Sequence, residues 1–479
     1  MPSQKPKSRI ALLIFCLVIG LALRLYRIDQ PIADWHSHRQ ADTAAVTINL
    51  LNRLDLLHPR YFDISNVQSG KNNPMGYRFV EFPVYNLLSA LFYTVAKPLY
   101  SPLTVEMASR LVSVIFSLLT SVCLYLLCFQ LTRHFWPSLL SFATFLFLPF
   151  NIYYSRVILP EPTATFFMVL TVLVFSKNIL LSSIPLALAF LTKPFTGIII
   201  FPVLLFFVYT KSYLSTSTKF LRLVIFCLLS LIPFYLWRRW IANFPEGIPD
   251  SSWLFNGGNI RFRPAWFRWL FFERIGKLIL GIYGIIPFSL GLAYRKNRSP
   301  LFVASNIVGV MLFLAIIARG NIQHDYYQTL IIPGLSIATG FGLYYFSQYV
   351  FNHRLISFVA TITITLFSLA FSYYQVKEYY HINNPVIISA GNYFDQHFPS
   401  NAIAVAPYFG DTAFLYQTKR FGYPIEIYDV PELTKLHPNQ DIYLISVNYD
   451  NYTNQMMSKY QAVYQTPQFI ILDFKNEKK

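Results

Sequence analysis

The chain has 479 residues, of which 54% are hydrophobic and only 13% charged, whereas an average soluble chain carries about 25% charged residues. The formal net charge of +17 would suit a nucleic-acid-binding protein. The basic residues, however, fall in short loops between apolar runs, as in the cytoplasmic loops of membrane proteins, so we expect a multi-pass membrane protein with no nucleic-acid partner.

Apolar runs of membrane length predict an α-helical polytopic protein with about eleven transmembrane helices. The first run covers residues 10–23 behind a basic N-terminal segment. No small-residue cleavage site follows it, so we interpret it as an uncleaved span with a cytoplasmic N-terminus. The other runs are 107–131, 138–153, 163–176, 179–192, 195–210, 220–237, 275–293, 300–318, 329–348 and 355–374.

The stretch 179–210 decides the topology. Lys193 and Pro194 lie at its centre, and both residues are unfavourable in the middle of a membrane helix. If the stretch forms two spans, the basic loops 211–222, 295–298 and 353–354 all face the cytoplasm, as the positive-inside rule favours. The first loop (about 26–106), the turns 154–162 and 319–328, the loop 238–274 and the tail are then extracytoplasmic.

Two regions outside the spans have structure of their own. The first loop is too long for a connector, and residues 42–57 and 83–97 predict amphipathic helices lying on the outer surface. We therefore expect a transmembrane domain over residues 1–375 that includes this loop. Residues 376–479 are less apolar and predict a small extracytoplasmic α/β domain, with a helix at 386–398 and strands at 402–408, 424–430, 441–447 and 469–474.

Ionisable residues gather at the predicted outer ends of the spans, where charge in a membrane protein usually serves function. Two acids near span ends suggest a general base and a partner that orients it, and nearby cations suit a phosphate. The candidate residues are Asp34, His36, His38, Arg39, Asp42, Glu81, Arg110, Arg156, Glu161, Lys193, Arg261, Arg263, His324, Asp325, Tyr326 and Tyr327.

An ordered set of short motifs resembles type C glycosyltransferases, namely the protein O-mannosyltransferase group (family 39) and the lipid A aminoarabinose transferases. The segment 40–45 around Asp42 resembles the Asp-containing motif of their first loop, and 81–86 resembles their Glu-Lys-Pro-Pro segment. The further matches are Arg-Leu at 110–111, the acidic motif 155–162, Thr-Lys at 192–193, the His-x-Tyr-Tyr segment 324–327 and the tail segment 415–420. Two positions depart from the pattern, since Thr43 replaces a Glu and Phe82 replaces a Lys.

The resemblance implies a GT-C fold and an enzyme that transfers a sugar from a polyprenyl-phosphate donor, by single displacement with inversion. Phosphate is already a good leaving group, so one base and cations that stabilise the departing phosphate would suffice. In this interpretation Asp42 is the base, with Glu81 or Glu161 as the orienting acid and Asp34 as the substitute base. Lys193 and Arg261 or Arg263 face the lipid phosphate in place of the missing Lys. The remaining candidate contacts to substrate are Arg110, His324, Tyr326 and Tyr327.

Several alternatives stay open. No cofactor is firmly implied, although His36, His38 and Asp42 together would also suit a divalent metal ion. Asp42 would also suit a solvated first helical turn, although the functional interpretation is favoured; Lys193 would also suit an anchor at a span end, and the tyrosines an interfacial belt. A flippase or a polymer ligase acting on lipid-linked sugars competes with the transferase, and the acceptor is a protein, a lipid or a glycan.

Overall fold

A computed structural model describes residues 6–210, 216–296 and 298–478 of the chain. The beginning of the basic loop 211–222 and one residue of the loop 295–298 lie outside the described residues. The α-helices, in chain order, are α1 (Pro6–Arg24), α2 (Ser37–Asn52), α3 (Val84–Ala96), α4 (Val105–Thr132), α5 (Phe135–Phe147), α6 (Pro149–Tyr154), α7 (Glu161–Phe175), α8 (Ser183–Thr192), α9 (Thr196–Thr210), α10 (Thr216–Ile241), α11 (Pro264–Phe267), α12 (Ile285–Leu292), α13 (Ser299–Ile316), α14 (Ala318–Gln323), α15 (Ile332–Tyr349), α16 (Arg354–Val376), α17 (Val386–His397), α18 (Thr412–Gln417), α19 (Val430–Leu436) and α20 (Asn451–Lys459).

Five helical segments in the described part of the chain are long and apolar enough to cross a membrane. They are Val105–Thr132, Ser217–Ile241, Ser299–Ile316, Asp325–Tyr349 and Arg354–Tyr380. Five shorter apolar helices accompany them, including α5, α7, α8 and α9. Helices α7, α8 and α9 match predicted runs of that length, whereas the predicted spans 138–153 and 275–293 are each divided between two shorter helices.

The run 179–210 forms two helices, as its central Lys-Pro step predicted. Helix α8 ends at Thr192, Lys193 is extended with φ −159° and ψ 99°, and α9 begins at Thr196. The run 275–293, which we expected to be one span, is also interrupted. A π-helix over Arg268–Ile279 is separated from α12 by a turn containing Gly281, whose φ is +57° and where a Cβ atom would lie 1.9 Å from the Ser368 carbonyl oxygen.

The chain divides into two compact units. The first contains residues 1–28, 110–238 and 251–379, and is built almost entirely of helices. The second contains residues 29–109, 239–250 and 380–479, so that most of the first loop packs with the C-terminal tail. The two regions that we expected to have structure of their own thus share one unit.

A five-stranded sheet forms the centre of the second unit. Its order is β2-β1-β3-β5-β4, with β1, β2 and β3 parallel and β3, β5 and β4 antiparallel. A cluster of aliphatic and aromatic side chains, including Ile403, Val405 and Leu444, forms its core. The strands are β1 (Ile403–Val405), β2 (Gly422–Tyr423), β3 (Ile442–Ser446), β4 (Tyr460–Gln465) and β5 (Ile470–Glu477).

The tail confirms the predicted helix and three of the four strand positions. The strand expected at 424–430 is wrong, because β2 ends at Tyr423 and Pro424 has no amide hydrogen to continue the ladder. Strand β4 was missed because it lies at the sheet edge and its sequence does not alternate apolar with polar residues, since the exposed position 463 is a valine. Residues 62–64 of the first loop join the sheet beside β2 through hydrogen bonds with Gly422.

Candidate functional site

A cleft in the second unit contains two of the predicted catalytic carboxylates. Helix α2 carries Asp42, and Glu81 lies just before α3, which packs against α2. Ten of the sixteen residues of α2 are buried. We call this feature the Asp42 cleft; it is lined by Arg39, Asp42, Thr43, Val46, Pro59, Arg78, Val80, Glu81, Pro83 and Asn86.

Both carboxylate oxygens of Asp42 have partners. Arg78 approaches Oδ2 to 2.7 Å, and the Thr412 hydroxyl donates to Oδ1 at 2.6 Å. Asp42 is only 3% exposed, so these partners replace the water that would otherwise solvate its charge. Arg78 also lies over the ring of Tyr61, at 5.1 Å from the ring centre. The carboxylate is therefore fixed in orientation and faces a cation.

Thr412 comes from the start of α18, where Asp411 caps the helix by accepting a hydrogen bond from the Ala413 amide at 2.7 Å. Burial raises the pKa of the Asp411 carboxyl to about 6, and the nearby charge of Asp42 adds to this effect. The tail thus supplies a contact to Asp42 together with a second acid that titrates near neutral pH.

Glu81 is held differently from Asp42. Arg39, three residues before Asp42 on α2, binds Glu81 Oε1. The other oxygen, Oε2, is buried and accepts no hydrogen bond within the described residues. A buried carboxylate oxygen without a donor is costly unless a bound group supplies one, so Glu81 has the geometry of a substrate contact.

The three residues considered for a metal ion lie in the same part of the chain. His36 caps α2 in a left-handed conformation, with φ 55°, and its ring lies 5.7 Å from that of His38. Burial, and then the neighbouring His36, lowers the pKa of His38 to about 4, so His38 is neutral at pH 7. Asp42, however, already binds the Arg78 guanidinium, which would repel a divalent cation, so this set does not fit a metal ion in the observed arrangement.

Asp34 lies close in sequence but serves a different partner. It is 1% exposed and accepts a hydrogen bond from the Gln40 side chain at 2.7 Å. Gln40 also donates to the Trp35 carbonyl at 3.1 Å. These contacts tie the entry of α2 to the helix itself.

A second cluster lies in the first unit, at the break between α8 and α9. The ammonium of Lys193 lies 2.6 Å from Glu161 Oε1, at the start of α7, and both side chains are at most 5% exposed. On another side the ammonium lies 4.9 Å from the ring centre of Tyr327 and 6.0 Å from that of Tyr326. The structure therefore brings together four of the predicted residues in what we call the Lys193 cluster.

Asp325 forms a neighbouring anchor in the first unit. It is fully buried and accepts hydrogen bonds from the hydroxyls of Tyr154 and Tyr379, and Arg274 approaches it to 3.2 Å. Side chains from three other elements of the chain thus meet at one carboxylate, which holds the short helix Asp325–Ile331 in place. That helix carries Tyr326 and Tyr327.

The arginines divide into two groups. Arg110 donates to the Ile28 carbonyl at 2.9 Å, and Arg156 donates to the carbonyls of Tyr26 and Arg27 at 3.0 Å, so both stabilise the chain just after α1. Arg261 lies at the end of the 3₁₀ segment Gly257–Phe262, and Arg263, which is exposed, directly follows that segment. His324 packs its ring at 5.2 Å from that of Tyr326.

Sequence reasoning missed two partners of Asp42. Arg78 precedes the matched segment 81–86 by three residues, and its position on the predicted outer side beside an acidic motif was an available signal. Thr412 carried no signal, because it lies 370 residues from Asp42 in the chain. Arg274, the partner of Asp325, was likewise absent from the candidates.

The fold is the GT-C fold, as the sequence resemblance implied. The family model described as dolichyl-phosphate-mannose-protein mannosyltransferase matches residues 89–243. No curated protein matches the chain by sequence.

Solved structures give the more specific likeness. ArnT from Cupriavidus metallidurans in the apo state has 12% sequence identity and a TM-score of 0.66, with 98% of each chain covered. The same protein bound to undecaprenyl phosphate gives 13% identity, a TM-score of 0.67 and 98% coverage of each chain. The Archaeoglobus fulgidus oligosaccharyltransferase AglB, in complex with an inhibitory peptide and a dolichol-phosphate, gives 11% identity and a TM-score of 0.52, with 96% of this chain and 74% of that chain covered.

Proposed function

We propose that the protein transfers a single hexosyl or pentosyl unit from a polyprenyl-phosphate donor to an acceptor hydroxyl, with inversion at the anomeric carbon. Its GT-C fold supports this function, and one of the similar structures contains undecaprenyl phosphate. The acceptor belongs to a protein, a lipid or a glycan.

The Asp42 cleft is the observation that carries the proposal. It places two carboxylates, Asp42 and Glu81, in one cleft, each fixed by its own arginine. Transfer to a hydroxyl needs a base to remove its proton and groups that hold the acceptor in line with the donor. In this proposal Asp42 is the base, and Glu81 Oε2 accepts a hydrogen bond from the acceptor or from the sugar.

The Lys193 cluster supplies the cation that stabilises the departing phosphate in this proposal. A departing polyprenyl phosphate carries negative charge, which a buried ammonium stabilises far better than an exposed one does. We propose that Lys193 binds the donor phosphate and that Glu161 positions the ammonium. The rings of Tyr326 and Tyr327 also lie near that ammonium.

The proposed location follows from the substrate. A polyprenyl-phosphate sugar serves transfer on the face of the membrane where nucleotide sugars are absent. We therefore propose a multi-pass protein of the inner or plasma membrane, with a cytoplasmic N-terminus and an extracytoplasmic tail. The distribution of basic loops supports this orientation.

The test compares lipid-linked sugars and surface glycans in cells with the gene, without it, and with the gene encoding Asp42→Asn. In the strain without the gene and in the strain with Asp42→Asn, we expect one polyprenyl-phosphate monosaccharide to accumulate and that sugar to be lost from a surface glycan. Accumulation of lipid-linked oligosaccharide instead would identify a polymer ligase. Restoration of the glycan by Asp42→Asn would contradict the role of the cleft, and unchanged glycans in the deletion strain would contradict the transferase.

A further inference from the structure

A second cleft in the second unit lies at the carboxyl ends of three parallel strands, β2, β1 and β3. Strand β2 pairs with one side of β1, and β3 pairs with the other side. The chain therefore leaves β1 in one direction to form β2 and later crosses back to form β3, so the loops after β1 and β3 diverge between these two strands. Open sheets bind ligands at this point. The strand-end cleft has a volume of about 340 Å³, and its lining includes Tyr408, Phe409, Glu426, Tyr428, Asn448 and Asp450.

Two aromatic side chains of the cleft are presented to solvent. Phe409 is 97% exposed and has φ 54°, a conformation that is an outlier for a bulky residue. The loop is held there because the amides of Tyr408 and Gly410 both donate to the Pro424 carbonyl, at 3.1 and 3.2 Å. Tyr428, on the loop after β2, is 62% exposed. An exposed ring on a strained but well-anchored loop is a feature of ligand contacts.

The charged groups of the cleft are all acidic. Glu426 and Asp450 line it together with the amide of Asn448, and no lysine or arginine is among its lining residues in the described chain. The cleft is therefore acidic, whereas the chain as a whole has a formal net charge of +17. The cleft therefore disfavours phosphates, nucleic acids and other anions.

Hydroxyl-rich sugars suit both features. The C–H face of a pyranose ring is weakly positive and packs against the negative face of an aromatic ring. Sugar hydroxyls donate to carboxylates and to amide oxygens, and hydrogen bonds to a charged acceptor are the stronger ones.

We propose that the strand-end cleft binds a neutral hexose oligosaccharide, stacked on Phe409 and Tyr428 and hydrogen-bonded to Glu426. The proposal goes beyond the transferase reaction and does not rest on it, because none of these residues lines the Asp42 cleft.

The test uses the full-length protein in phosphatidylcholine nanodiscs. Binding of maltohexaose and of chitohexaose is measured by saturation-transfer NMR, with tetralysine as a peptide probe of the acidic groups. We expect saturation of at least one hexasaccharide in the wild-type protein, and an affinity lower by roughly tenfold or more in Phe409→Ala and in Tyr428→Ala. Glu426→Gln should weaken binding less. The control variant is Leu436→Ala, which removes a side chain of 62% exposure outside the cleft and should bind as the wild type does.

Folding and binding are separated by Phe409→Gly. Glycine tolerates a positive φ, so this variant should keep or raise the melting temperature while losing hexasaccharide binding. Binding of neither hexasaccharide, binding of tetralysine alone, or equal affinities in Phe409→Ala and Leu436→Ala would each overturn the proposal. The transferase is tested separately by the lipid-linked sugars of the deletion strain.

Discussion

The ion pair between Lys193 and Glu161 allows a sharp test of the donor site. Both side chains are buried, with 5% and 1% exposure, and the pair is 2.6 Å long. Removing one partner of such a pair leaves an uncompensated buried charge and costs roughly 3–5 kcal/mol. A loss of activity in a single variant would therefore report either a lost phosphate contact or a lost fold.

The double variant Lys193→Met, Glu161→Gln separates the two explanations. Removing both charges abolishes the unpaired-charge penalty, and replacing a buried pair by neutral groups of similar size is often neutral for stability. We expect Lys193→Met alone to melt at a clearly lower temperature, and the double variant to recover most of that loss.

Binding of the lipid phosphate should not recover. A hydrogen bond to a charged group contributes about 1.5–3 kcal/mol, which corresponds to roughly 10–150-fold in affinity. We therefore expect both variants that lack Lys193 to bind undecaprenyl phosphate that much more weakly, as measured by calorimetry in detergent. Glu161→Gln alone keeps the ammonium and should retain most of the affinity.

The matched control is the much more solvent-accessible pair Lys277 and Glu273, whose side chains are 38% and 33% exposed and which lie four residues apart at 3.4 Å. Exposed pairs contribute about 0–1 kcal/mol, so Lys277→Met should change neither the melting temperature nor the lipid affinity appreciably. Wild-type affinity for undecaprenyl phosphate in a stable double variant would refute the assignment and leave Lys193 with a structural role only.

Three further predictions follow from the second unit. Asp42→Asn leaves the buried Arg78 without its counter-charge, so it should melt at a lower temperature than the wild type while remaining folded at the assay temperature. It should lower turnover by about 10²-fold or more, the usual scale for loss of a general base; if Glu81→Gln is instead the more damaging change in the same assay, the base is Glu81. A cysteine at exposed Ser458, introduced into a cysteine-free background, should react with a membrane-impermeant thiol reagent in spheroplasts, and labelling only after lysis would reverse the topology. Because the pKa of Asp411 is raised in the folded state to about 6, its stabilising contribution is complete below pH 4 and is lost as the pH rises through 6. Asp411→Asn keeps the helix cap and cannot ionise. Its melting temperature should match that of the wild type near pH 4 and exceed it at pH 8, where its free energy of unfolding should be higher by at most about 3 kcal/mol. A difference in melting temperature that stays constant across pH would contradict this origin.

The sequence by itself determined the features that depend on local composition. Hydropathy identified the apolar helices, and the Lys-Pro step at 193–194 correctly predicted the break between α8 and α9, because proline lacks the amide that a helix needs. It also placed the helix at 386–398 and the strands near β1, β3 and β5. Local sequence patterns did not predict the turn at Gly281 that interrupts the run 275–293, nor the end of strand β2 before Pro424.

Only the tertiary structure decided which charges meet. Asp42 is held by Arg78 and by Thr412, and the second of these lies 370 residues away along the chain. Glu161 and Lys193 meet because α7 and α8 pack together. The cost of burying a charge requires that each have a partner, but it does not specify which one. Packing of distant segments makes that choice, so the sequence named candidate residues but did not show which of them pair.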